Sequence, residues 1–294
     1  MTDRGPALAR ELWRLLEPIH AVTYFSPEPL AALRQAGYRG FWMGYFAGRA
    51  APLGPAPAEL VHALFYNFAF SHVSRALPDA WDFAPPALAL SARVDGSAAA
   101  LRRQLGDLGD APALRRAAEL AGRAAAGAPL EGRPLFAANR ALPTPSDPLG
   151  QLWHAATLLR EHRGDGHVVA LTAAGIGGRE SHVVHALATG TPAEVYTAAR
   201  NLDPREWDGV LAGLRDRGLV DPAGTLSDAG RRLKESVERR TDELAWSAYR
   251  TLTEPELEEL LAALRPLAAA VVAAGEIPAR SPMGLDLTER GPTT

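Results

Sequence analysis

The chain contains no cysteine. That excludes a disulfide frame, a thiolate zinc site and a cysteine nucleophile together. Lysine is almost missing as well: Lys234 is the only one, and the other basic side chains are arginines. Arginine in place of lysine, beside heavy use of Ala, Gly and Pro, reflects a GC-rich genome and carries no functional weight. No run of 18 apolar residues occurs, so no helix is expected to cross a membrane. The start, Met1-Thr2-Asp3-Arg4-Gly5-Pro6, lacks the basic head and apolar middle of a secretion signal, and the expected location is the cytoplasm. Nor is there an excess of positive charge. The net charge of −3 gives no general attraction for nucleic acid, so any such binding needs a local basic patch. A Gly-x-Ser-x-Gly elbow, a phosphate loop and a dinucleotide fingerprint are all missing, and Gly175-Ile176-Gly177-Gly178 reads as a helix break.

What is present is helical. The 294 residues suffice for two ordinary domains, and 47% hydrophobic with 22% charged is a globular composition. Leu8, Leu12, Leu15, Leu16 and Ile19 recur at helical spacing with Trp13 on the same face. Ser26-Pro27-Glu28 opens a second helix to about Gly37. Residues 97–127 are expected to form one or two helices. The proline-rich stretch Leu142–Pro148 is the best candidate linker. After it the order repeats: Glu11-Leu12-Trp13 matches Gln151-Leu152-Trp153, Ala32–Gly37 matches Ala170–Gly175, and Pro57-Ala58-Glu59 matches Pro192-Ala193-Glu194. The expected fold is therefore mainly α, with tandem winged-helix-like domains and one small β-hairpin wing. Residues 1–142 form a degenerate first domain, 143–150 the linker, 151–275 the second domain and 276–294 a tail.

The most specific pattern is 192–240. A short helix leads to Asn201-Leu202-Asp203-Pro204, where Asp203 can cap a helix that Gly218 stops. Leu219-Val220 and Thr225-Leu226 flank an Asp-Pro-Ala-Gly turn, and Ser227 or Asp228 starts a long helix. Helix, turn, helix, hairpin, helix is the order of a winged helix. Residues 192–245 resemble the MarR-type winged helix, in which a helix ending in Gly-Leu-Val precedes the wing. The whole chain also resembles a family of actinobacterial proteins described as helix-turn-helix-like. The segments Glu17–Ala21, Gly40–Gly54, Phe65–Phe68 and Leu159–His167 carry that resemblance. It implies the fold and no activity. The MarR-type resemblance implies a pseudo-two-fold arrangement in one chain, with an aromatic effector bound between the halves.

A DNA-binding regulator is the obvious reading of such a fold, and the charges disfavour it. The recognition helix would open Asp203-Pro204-Arg205-Glu206-Trp207-Asp208, three acids against one arginine, and the wing carries Asp221 with no cation. Arg215 and Arg217 lie where they complement a helix C-terminus.

Several side chains could carry chemistry instead. Glu161–His167 concentrates ionisable groups at an expected junction, with Gly164 ending one helix and Asp165 capping the next. Within it His162, Asp165 and His167 are weak candidates for a metal site. His182 and His185, with Glu180, share one helix face. Gly40, Gly44 and Gly48 form a smooth stripe beside Trp42, Tyr45 and Phe46, suited to close helix packing or to a flat ligand. Tyr66 and Asn67 sit at a turn among phenylalanines. Glu17, His20 and Tyr24 are weak candidates for acid–base work.

The expected function is small-molecule binding, as a sensor, sequestering protein or resistance factor. The ligand is aromatic or partly anionic and meets Trp42, Tyr45, Phe46, Tyr66, Asn67, His162, Arg163 and His167 in a cleft between the halves. The alternatives are a MarR-type DNA-binding regulator and an enzyme using the same cleft. No cofactor is indicated, no membrane partner is expected, and a monomer or a homodimer fits equally.

Overall fold

A computed structural model describes residues 4–279 and 281–285, so most of the expected tail and the first three residues lie outside the described residues. The described chain is built of fifteen α-helices. In order they are α1 (Arg4–Phe25), α2 (Pro27–Gln35), α3 (Gly40–Ala50), α4 (Ala58–Phe65), α5 (Phe70–Val73), α6 (Ala80–Phe83), α7 (Pro86–Leu105), α8 (Pro112–Gly127), α9 (Pro134–Arg140), α10 (Pro148–Ala173), α11 (Gly178–Thr189), α12 (Ala193–Arg200), α13 (Pro204–Asp216), α14 (Asp228–Trp246) and α15 (Glu254–Ala273). None is long and apolar enough to cross a membrane.

The chain divides into two compact units, each assembled from separate segments. Unit 1 takes residues up to Pro57, Arg75–Gly166 and Asp242–Ile277; unit 2 takes Ala58–Ser74, His167–Thr241 and the segment from Pro278. This division does not support the expected duplication. Unit 2 draws α4 and α5 from the first half of the sequence and α11 to α13 from the second, and residues 143–150 fall inside unit 1.

Unit 1 is organised around α1, whose apolar face Leu8, Leu12, Leu16 and Ile19 is buried. The apolar stripe of α15, Leu257, Leu260, Leu261, Leu264 and Leu267, is buried as its spacing predicts, and α15 packs on α1 and α8. Thr253 opens α15 with a capping box, its side chain accepting from the Glu256 N–H and the Glu256 carboxylate accepting from the Thr253 N–H at 2.9 Å.

The expected junction at Gly164 is absent. α10 runs without interruption from Pro148 to Ala173. Two interior glycines cost on the order of 1 kcal/mol each relative to alanine, and burial along the helix offsets them. Asp165 does not cap its own helix. Its carboxylate accepts at 2.9 Å from the Phe136 N–H in the first turn of α9, a helix whose own N-cap position, Arg133, supplies no side-chain acceptor. At Gly166 a Cβ would stand 3.2–3.3 Å from the Arg133 guanidinium, so the missing side chain gives that cation room.

Unit 2 has the expected order of helices over 178–246. Its core includes Leu171, Ile176, Val183, Leu214, Val220, Leu226 and Val237. Asp203 caps α13, accepting from the Glu206 N–H at 2.9 Å, and Gly218 takes a left-handed conformation after it. The expected two-stranded wing is reduced to one antiparallel bridge, Val220 to Leu226. Its arms are two residues long, and the Asp221 carboxylate takes the Thr225 N–H that a longer ladder would compete for.

The turn Tyr66-Asn67 packs onto the start of α11. Tyr66 has a positive φ of 56°, and its hydroxyl donates to the Ile176 carbonyl at 2.5 Å. Gly178 makes this possible, because a Cβ there would fall 2.0 Å from the Tyr66 carbonyl oxygen. Gly178→Ala is therefore expected to destabilise unit 2 by about 1–3 kcal/mol, measured by denaturant unfolding. An unchanged midpoint would contradict the close approach.

Candidate functional site

The most chemically loaded region of unit 1 is formed by α1, α3, α7 and α10. Pro18 lies inside α1, and the residues around it, Glu17 to Tyr24, are buried on every side of the helix rather than on one stripe. Polar groups placed there must find partners inside the protein.

Glu161 of α10, 2% exposed, is held between two guanidiniums. Arg49, at the end of α3, donates Nε to Oε1 and Nη2 to Oε2, both at 3.1 Å, and Arg160 donates Nη1 to Oε1 at 3.0 Å. The chain of charges continues from Arg160 Nε to Glu17 Oε1 at 3.5 Å, and the Trp13 indole N–H donates to Glu17 Oε2 at 3.1 Å. Burial alone would push the Glu161 carboxyl up, but Arg160 and Arg49 overcome it and hold the group well below the usual carboxylate range.

Arg93 of α7 is the third buried guanidinium, 5% exposed. Its Nη1 donates to the Gly48 carbonyl at 3.1 Å and its Nη2 to Asn139 Oδ1 at 2.6 Å. The Gly48 carbonyl is available because residue 52, which would donate to it in a continuing helix, is Pro52. Both acceptors are neutral. Nε has no hydrogen-bond partner among the described residues, and the cation lies 5.4 Å from the centre of the Trp153 ring. Burial pulls the Arg93 pKa down to about 10, which still leaves it charged at neutral pH.

Between these groups runs a hydrogen-bonded line. His20 Nδ1 is 2.9 Å from Thr157 Oγ1, and His20 Nε2 is 3.1 Å from the Tyr24 hydroxyl. The Thr157 hydroxyl already donates its one proton to the Trp153 carbonyl at 2.9 Å. Toward His20 it can only accept, so Nδ1 carries the ring proton. Burial and the nearby Arg160 charge keep the imidazole pKa well below its ordinary value, so the ring is neutral. Nε2 is then an acceptor and takes the proton of the Tyr24 hydroxyl in its hydrogen bond. Burial pushes the Tyr24 pKa up, so the phenol keeps that proton.

These groups surround a cavity. Its empty space is about 410 Å³, open mouth included, and it is narrow, with room for water-sized contents as its walls stand. The polar wall is His20, Tyr24, Arg49, Arg93 and Glu161; the apolar wall is Leu30, Leu33, Phe41 and Trp153, with Gly44 and Gly48 exposing backbone. Phe41, 42% exposed, stacks at 6.1 Å on Tyr45, which also lines the space.

The sequence-predicted residues divide. Tyr45, His20 and Tyr24 line this cavity, and Glu17 stands behind it in the charge network. Trp42 and Phe46 pack on Tyr45, at 5.6 and 5.4 Å between ring centres. His162 and Arg163 line a separate, smaller space of unit 1 beside Trp13 and Tyr249, where Arg163 pairs with Asp242 at 2.7 Å. Tyr66, Asn67 and His167 belong to unit 2, where His167 Nδ1 meets Thr241 Oγ1 at 2.9 Å. The weak metal candidates do not converge: the His162 ring packs edge-on against Phe136, Asp165 holds the Phe136 N–H, and His167 meets Thr241. Among the described residues no group of three His, Asp or Glu is placed to hold a metal ion. His182 donates Nε2–H to the Asn67 carbonyl at 3.1 Å, and Glu180 caps α11 and pairs with Arg217 at 2.8 Å, so both are structural.

Arg49, Arg93, Arg160 and Glu161 were not among the sequence candidates. For Arg93 a signal existed: Ala89, Ala92, Gly96, Ser97 and Ala100 trace one buried face of α7, and Arg93 is the single cation on it.

With this geometry in hand, the comparisons with known proteins place the chain in a class. It belongs to a helix-turn-helix family, whose profile it matches over residues 9–278. No curated protein and no solved structure matches it.

The buried histidines set the pH response. Burial holds His20 and His182 well below the ordinary histidine pKa and brings His154, His162 and His185 down to about 4. A depressed folded pKa stabilises above the unfolded value of about 6.5, and that stability is lost as pH falls toward the folded value. Asp165 runs the other way: burial raises it to about 7, so its contribution grows as pH falls. His154, His162 and His185 each lose roughly 2 kcal/mol between pH 7 and pH 5, His20 and His182 act in the same direction, and Asp165 offsets roughly one of them. Urea midpoints are therefore expected to fall clearly over that range; a flat profile would mean the imidazoles are solvated.

Proposed function

We propose that this chain binds a small organic molecule in the unit 1 cavity, which the exposed Phe41 widens by turning outward, with an apolar or aromatic body against Phe41, Tyr45 and Trp153 and a polar group facing Arg93 and the His20–Tyr24 pair. The observation that carries the reading is the coincidence of an unsatisfied, buried guanidinium nitrogen with two glycines that packing does not require. A Cβ at Gly44 or Gly48 would meet only Leu33, at 3.5–3.7 Å, which is ordinary contact. Alanine there would fit and would favour the helix by about 1 kcal/mol at each position. Glycine keeps the cavity wall open at that cost.

The test separates packing from function. Gly44→Ala and Gly48→Ala are expected to raise stability by up to about 1 kcal/mol each while weakening binding of a copurifying compound, followed by native mass spectrometry. Binding left intact by both changes would count against the cavity as the site.

The His20–Tyr24 line favours a second reading, in which the same site is an enzyme. A proton arriving from a substrate at the Tyr24 oxygen would release the Tyr24 proton to His20 Nε2, and Arg93 would face the charge left behind. Tyr24→Phe would then abolish turnover with little effect on binding.

Membership of a helix-turn-helix family supports a DNA-binding regulator only as fold analogy. On the α13 side of unit 2, Asp203 is a helix cap, Asp221 closes a turn, and Glu206 is bound by both ends of the Arg179 fork at 2.6 and 2.8 Å. Arg179 is thereby withdrawn from any phosphate. No sub-micromolar, salt-sensitive duplex complex is expected at physiological ionic strength, by fluorescence anisotropy with genomic fragments.

A further inference from the structure

Resting on the cavity reading above, we infer that the ligand is an organic carboxylate whose negative charge is the missing counter-ion of Arg93. The cavity and its charge network hold three guanidiniums, Arg49, Arg93 and Arg160, against two carboxylates, Glu17 and Glu161. Both carboxylates are committed to Arg49 and Arg160, and no carboxylate of the described residues lies within ion-pair distance of Arg93. Glu161 is near enough to favour the Arg93 charge but is itself held by Arg49 and Arg160, and the other neighbouring groups bring no negative charge. His20 is a neutral donor–acceptor whose two nitrogens are occupied, and Tyr24 keeps its proton. Asn139 and the Gly48 carbonyl satisfy Arg93 Nη atoms as hydrogen-bond acceptors and bring no charge. A buried cation is ordinarily paired, and the free position here is Nε, an N–H of a guanidinium that already lines the cavity.

The rest of the wall selects an organic anion over an inorganic one. Leu30, Leu33, Phe41 and Trp153 would leave a hydrated ion unsatisfied on most of its surface, whereas a short hydrocarbon or a ring meets them with its apolar part. One oxygen on Arg93 Nε, with the body toward Phe41 and Leu33, uses both kinds of wall.

The experiment is calorimetric titration of the full chain at pH 7 with two isosteric pairs, propionate against propionamide and benzoate against benzamide, with chloride as a competitor. The expected result is that one carboxylate binds about tenfold or more tightly than its amide, that Arg93→Gln erases the preference, and that chloride fails to displace the carboxylate at equal concentration. The preference in the unsubstituted chain decides the matter even where Arg93→Gln does not fold. Equal affinity for acid and amide overturns the inference and leaves the cavity reading standing. Equal competition by chloride overturns it in favour of an inorganic ion. Failure of all four probes at ~10 mM, in a protein that still retains a neutral copurifying compound, overturns the carboxylate and not the site.

Discussion

The arrangement of unit 1 turns on the carboxylate of Glu161. A carboxylate taken out of water is strongly destabilising unless cations meet it in good geometry, and only then does the fold containing it become accessible. Arg49 and Arg160 meet both oxygens, the first as a two-pronged fork. The consequence is positional. Arg49 fixes the end of α3 against α10, and Arg160 carries the constraint to Glu17 on α1. Buried ion pairs add little net stability over an apolar core of the same volume, yet losing one partner costs about 3–5 kcal/mol. Such a network selects one packing of three helices far more sharply than it strengthens it. His20, Tyr24 and Thr157 sit on two of those helices, and their hydrogen bonds near 3 Å exist because the helices cannot slide.

Arg93 belongs to a different logic. It does not close the charge network; it closes a backbone defect. Pro52 ends the hydrogen bonding of α3 and strands the Gly48 carbonyl, and Arg93 supplies the donor. A neutral amide would have served that carbonyl with a smaller desolvation cost, as Asn139 does for the Leu135 carbonyl at 2.8 Å. A full positive charge placed there exceeds what the defect requires, and the excess faces the cavity.

Much of the fold is legible in the sequence where the signal is local. The helix start at Asp203-Pro204, the stop at Gly218 and the apolar stripe of α15 follow from capping chemistry and period, and α2 starts at Pro27 as expected although Ser26 makes no cap bond and accepts from Gln104 instead. Gly164 misleads, because its local preference for ending a helix is outweighed by tertiary contacts: Asp165 reaching α9 and Arg133 filling the space over Gly166. The repeat of Leu-Trp and Pro-Ala-Glu segments misleads about units for a related reason. Similar helix order does not decide which helices share a core, and Ala58–Ser74 joins residues a hundred positions later. Of the site, the His20, Tyr24 and Tyr45 positions could be picked by residue type. Their neighbours Arg49 and Glu161 could not, since charged residues in an Arg-rich, Glu-rich chain are ordinarily solvated, whereas Arg93 stands out as the one cation on the small-residue face of α7.

The acids of α13 refine the electrostatic argument against duplex binding. A count of charges treats Asp203, Glu206, Asp208 and Asp221 as four repulsive centres. Their partners alter that. Glu206 is neutralised by Arg179, whose Nη atoms also hold the Arg200 and Asn201 carbonyls at 2.9 Å, so little repulsion remains from that position. The same contacts engage Arg179 of α11, which reaches the turn before α13 and is therefore spent on Glu206 and two carbonyls. Asp203 and Asp221 keep their charge while spending acceptor capacity on backbone N–H groups. The surface is then less acidic than its composition, Arg205 stays exposed at the start of α13, and weak duplex binding is proposed because that end of the helix offers few cations to drive counterion release.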